Sequence, residues 1–84
     1  MKQVLDEDSI FRTHELALVA ALVVWEFPII GLGKGDNRKI IFSFPNSPQL
    51  QEAIQAFWSN TKVVLPIRYF DALRMIKSRI YSEV

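Results

Sequence analysis

THELALVAALVVWEFP, residues 13–28, is the stretch on which the fold turns. Every residue from Leu16 to Trp25 is apolar. The run is about ten residues long, half of the roughly twenty that a bilayer span needs, and Glu26 and Pro28 break it. It therefore reads as a buried helix from His14 to Trp25, with Thr13 as N-cap and Glu15 in the first turn, where the helix dipole favours an acid. Pro28 ends it, since the residue before a proline is pushed towards extended geometry. Such a helix has no polar face and must be covered on most sides, by its own chain or by a second copy. Ala17, Ala20 and Ala21 form a strip of small residues that lets another element approach closely.

The flanking segments supply the cover. Upstream, Ile10-Phe11-Arg12 reads as a short strand. Downstream, Ile29–Leu32 and Lys39–Phe44 read as two strands, the second with Ile40, Phe42 and Phe44 alternating against Ile41 and Ser43. Gly33-Lys34-Gly35-Asp36-Asn37 lies between them, rich in residues that tolerate positive φ, as a hairpin turn requires. Ser47 and Pro48 give an N-cap and a first helical position, and Leu50, Ala53, Ile54 and Phe57 fall on one face of a helix that Asn60 stops. Val63–Leu65 offers a further short strand. Pro66 opens a last helix with an apolar stripe at Tyr69, Ala72, Leu73, Ile76 and Ile80. The expected fold is α+β, a small antiparallel sheet packed with three helices in the order (β)αββαα.

A chain of 84 residues makes one domain with a small core. It divides into a flexible acidic segment over residues 1–9, with Asp6, Glu7 and Asp8, and a single α+β domain over residues 10–84. With half its residues hydrophobic and 23% charged, it is not a disordered chain. The absence of cysteine excludes a disulfide framework and fits the cytoplasm. Net charge is +1, but its distribution is uneven: residues 1–33 carry −3 and residues 34–84 carry +4. The two parts either neutralise each other in the fold or form faces with different partners.

Candidate sites are few. Gly31-Leu32-Gly33-Lys34-Gly35 lacks the Walker spacing and leads into a strand, so it reads as a hairpin and not as a phosphate loop. His14, the single histidine, has no signature of a nucleophile or an orienting carboxylate beside it. No cysteine, no second histidine and no calcium-loop spacing exist to hold a metal. The chain is therefore expected to be non-catalytic, with no cofactor, no small-molecule substrate and no membrane contact. On the last helix Phe70, Arg74, Lys77 and Tyr81 fall on one flank of the apolar stripe, with Arg68 and Arg79 on the other. Cations framed by rings suit phosphate contact. The plainer role for Arg74 and Lys77 is to cover the core edge with their methylene stems. Trp25 and Trp58, with six phenylalanines, are hard to bury in so small a domain.

Phe11-Arg12-Thr13 before an apolar helix, the strand ending Phe42-Ser43-Phe44, and Ala72-Leu73-Arg74 followed by Lys77-Ser78-Arg79-Ile80-Tyr81 carry a resemblance. Over Ile10 to Tyr81 the chain resembles a family of small uncharacterised bacterial and phage-associated domains, domain of unknown function 5659. The resemblance implies no activity, cofactor or catalytic residue. Two functions remain open. In the first the domain is an interaction module that self-associates as a homodimer or docks on a protein partner. In the second it is an accessory nucleic-acid-binding protein that uses Lys34, Arg38, Lys39, Arg74, Lys77 and Tyr81.

Overall fold

The computed structural model describes residues 9–35 and 39–83. The chain runs β1 (Ile10–Thr13), α1 (Leu16–Val24), β2 (Gly31–Lys34), β3 (Ile40–Pro45), α2 (Pro48–Ser59) and α3 (Pro66–Glu83). The three strands form one antiparallel sheet in the order β1-β3-β2. The fold is α+β, with the expected order of elements.

β3 is central because its alternating Ile40, Phe42 and Phe44 present large side chains to one face. β2 holds two glycines in four residues, offers little to pack against, and takes an edge. Register sets Phe11 opposite Phe44, and both Thr13 and Leu32 opposite Phe42. On that face Phe42 and Phe44 are completely buried, while Arg12, Gly31, Ser43 and Ile41 alternate to the other side.

The helices complete the core. Leu18, Val19, Ala20, Ala21 and Leu22 of α1 are at most 2% exposed. Leu18, Val19, Ala20 and Leu22 share one cluster with Phe42, Phe44, Leu50, Ile54 and Ile76, and α1 packs chiefly against α3 and then α2. Each such leucine contributes roughly 1.5–3 kcal/mol relative to an exposed one. The chain itself therefore wraps α1, and the argument for a second copy from the apolar circumference of this helix falls.

α1 is shorter than expected at both ends. Thr13 stays in β1 and its hydroxyl accepts from the Glu15 N–H (3.1 Å), so it holds the turn into the helix and does not cap it. Glu15 takes the N-cap position without a side-chain cap bond. At the other end Glu26, not Pro28, closes the helix. It adopts φ 73°, and the N–H groups of Glu26 and Phe27 donate to the carbonyls of Val23 and Leu22. This six-to-one closure satisfies carbonyls that the helix end would leave open. α2 begins as read, with the Ser47 hydroxyl accepting from the Leu50 N–H (3.0 Å), and ends on Asn60 in the left-handed region.

Two local expectations fail. Residues 63–65 form no strand, because the sheet edges lie elsewhere and the Val63 carbonyl accepts from the Trp25 indole N–H (3.2 Å). The glycines do not serve positive φ, which none of them adopts. Gly33 lies within β2 opposite Ile41, and Gly35 is needed for space: a Cβ there would stand 2.7 Å from Ile41 Cγ1. The turn residues Asp36, Asn37 and Arg38 lie outside the described residues, as does the acidic segment up to Asp8. Among the described residues no helix is long and apolar enough to cross a membrane.

Candidate functional site

Topology sorts the surface into two ends. β3 pairs with Thr13 at Phe42 and with Lys34 at Ile40, so α1 starts at the end of the sheet where the β2–β3 hairpin closes. Gly35 N–H donates to the Lys39 carbonyl at that closure (2.7 Å). Leu16, at the start of α1, lines a cleft of about 250 Å³ with Lys77, Ile80 and Tyr81. The C-terminal half of α3 therefore lies at the hairpin end. Of the candidate phosphate contacts, Lys34, Lys39, Lys77 and Tyr81 are gathered there, all exposed. Arg38 lies outside the described residues.

Arg74 is the next cation along the same flank of α3, three residues before Lys77. It sits a turn further from the hairpin, and its guanidinium pairs with Asp71 one turn back at 3.1 Å, with both groups open to water. A pair so exposed is worth little. His14 is exposed and precedes the helix. Among the described residues no three His, Asp or Glu side chains are grouped to hold a metal.

The opposite end is apolar. The last turn of α2, the loop into α3 and the first turns of α3 expose Trp58, Val63, Leu65, Ile67 and Phe70, at 62%, 88%, 65%, 75% and 59%. Core demand explains none of this, since the buried stripe of α3 already faces α1. Trp58 makes an edge contact with Phe57 (4.9 Å) and otherwise faces solvent. The loop is held in shape: besides the Trp25–Val63 bond, Lys62 Nζ stands 5.0 Å above the Trp25 ring, and the Thr61 N–H donates to the Ala56 carbonyl. Beside this ridge, between the end of α1 and α3, runs an open groove of about 360 Å³. Val23, Val24, Ala72 and Met75 form its floor, and Glu26, Arg68 and Asp71 its rim.

Sequence reasoning reached two aromatics of this surface, Trp58 as hard to bury and Phe70 as lying off the core stripe, but not its aliphatic members. Val63–Leu65 reads in the sequence as a strand, and Ile67 falls outside the apolar stripe of α3. A signal was present: Ile67, Phe70 and Tyr81 repeat at helical spacing on a face about a third of a turn from the buried stripe, which one core cannot cover at the same time.

The family described as Domain of unknown function (DUF5659) matches residues 8–82. No curated protein and no solved structure matches the chain.

Proposed function

We propose that this chain, which belongs to the DUF5659 family, is a non-catalytic cytoplasmic interaction module that docks on protein through the apolar ridge at the start of α3. The observation that carries the reading is the run of five large apolar side chains, Trp58 to Phe70, each more than half exposed within thirteen residues of sequence. Monomeric proteins rarely leave contiguous apolar surface of more than a few hundred Å² uncovered, and larger patches mark contact sites. Aromatic anchors among aliphatic neighbours are the residue types that dominate protein interfaces. The loop bonds to Trp25 hold the ridge in place before any partner arrives, which lowers the ordering cost of binding.

The test is the native size of the protein in extracts of the cells that make it. The wild-type chain is expected to migrate in an assembly, and the double variant Ile67→Lys, Phe70→Glu to leave it with an unchanged circular dichroism spectrum. Co-migration of both forms at the mass of a single chain would end the reading.

The gathering of Lys34, Lys39, Lys77 and Tyr81 at the hairpin end supports a second reading, contact with nucleic-acid phosphates. Each neutralised phosphate contributes a log–log salt slope of about −0.9 on duplex DNA. Replacing Lys34 and Lys77 by Ala should then flatten that slope by roughly two units. Absence of binding to duplex or single strands at low salt removes this reading and leaves the first intact.

A further inference from the structure

We propose that the cleft between the end of α1, the α2–α3 loop and the first turn of α3 is a binding site for a small bicyclic aromatic carboxylate. Its residues are not those of the ridge. Three half-buried rings, Trp25, Phe57 and Tyr69, line it with Val64 and leave a space of about 270 Å³ between them. Aromatic side chains around a concavity, with a few polar groups to fix orientation, are the usual make-up of a small-ligand site. An apolar cavity of roughly 150 Å³ already takes a benzene ring. Two fused rings with a short acid side chain are therefore the size that fits here. The walls are set before a ligand arrives. The Trp25 indole N–H donates to the Val63 carbonyl and the Tyr69 hydroxyl to the Ala17 carbonyl, both at 3.2 Å. Backbone thus satisfies the one polar group of each ring, and what remains for a ligand is carbon surface.

The polar side chains of the cleft set the sign of the charge it takes. They are Lys62 and Asn60. Lys62 Nζ stands 5.0 Å from the centre of the Trp25 ring, so the aromatic face already carries a cation and repels a second one. That ammonium makes no ion pair among the described residues, not even with Glu52, which shares a neighbouring cleft with it. A carboxylate that reaches Lys62 gains a charge-assisted hydrogen bond without having to break an existing pair, while its rings lie against Trp25. The Asn60 amide supplies a further donor in the same cleft.

The test titrates the full chain with indoleacetate, and in parallel with indole, tryptamine and acetate, by two-dimensional amide NMR. Indoleacetate is expected to bind with a Kd of about 1 mM or below and to move the Trp25 indole signal and the amides of Phe57 to Val64 first. Indole and tryptamine should bind about fivefold more weakly, the modest factor that a water-exposed charge such as Lys62 supplies, and acetate should leave the spectrum unchanged. Lys62→Gln should weaken indoleacetate by the same fivefold and leave indole unaltered. Lys62→Glu should reverse the order, with tryptamine the tightest of the three. Val64→Phe should fill the cleft and remove binding of every ring; should it disturb the fold, the two Lys62 variants, altered only at an exposed side chain, decide the matter. No shifts up to on the order of 10 mM probe overturn the site, as do shifts centred elsewhere on the molecule. Equal affinity for indole and indoleacetate, or a Lys62→Glu variant that keeps its preference for the acid, overturns the role given to Lys62 and with it the carboxylate.

Discussion

Leu22→Ala separates a helix wrapped by its own chain from one that waits for a partner. Leu22 is completely buried in the middle of α1, in one cluster with residues of β3, α2 and α3. Removing its branched end takes away about 2 kcal/mol of transfer free energy, and the cavity left behind brings the total to about 3–5 kcal/mol. A domain of this length has roughly 4–13 kcal/mol in all, so the variant should sit near the edge of folding. With a urea m-value of about 1 kcal/mol/M, the midpoint should fall by about 3–5 M. Far-UV circular dichroism in urea at two protein concentrations a hundredfold apart is the assay. Because every contact of Leu22 is within one chain, the loss should be the same at both. A shift below about 1 M, or a loss present at only one concentration, would refute the packing described for α1.

Three further changes probe single features. Ser47→Ala removes the acceptor for the Leu50 N–H and should cost about 1 kcal/mol by urea titration, with Ser47→Asp close to neutral. Gly35→Ala would place a Cβ 2.7 Å from Ile41 Cγ1 and should lower stability by about 1 kcal/mol or more, whereas Gly33→Ala, with open space around it, should cost less than half of that. Arg74→Ala breaks only a water-exposed pair with Asp71 and should move the thermal midpoint by no more than about a degree or two.

The architecture was legible where one force dominated. The unbroken apolar run of α1, the alternation in β3 and the stripe of α3 each report burial directly, and burial sets element type and face. Ser47 and Asn60 were legible because their side chains and backbone preferences act locally. Legibility failed where two local rules competed. Thr13 is a good N-cap and a good strand residue, and pairing with Phe42 decided the matter. Glu26 marked the end of the apolar run but not a left-handed closure of α1, since glutamate seldom enters that region. Val63–Leu65 has strand-forming residues, but strand formation needs a neighbour with free backbone groups, which its position beside Trp25 does not provide. The ridge was legible only in part: Phe70 stands off the core stripe in the sequence as a ring beside the basic strip, but Ile67 belongs to no stripe, and only the packing shows it exposed. The charge asymmetry was legible as a number, but its meaning depended on the topology that brings the C-terminal half of α3 to the hairpin end.

A photo-activatable amino acid placed at Phe70, and separately at Lys39, in cells that make the full chain compares the two ends of the molecule in one experiment. The account predicts a discrete protein–protein cross-link from position 70, at twice the chain mass if the partner is a second copy, and none from position 39. Cross-linking to nucleic acid from position 39 with no product from position 70 would contradict it.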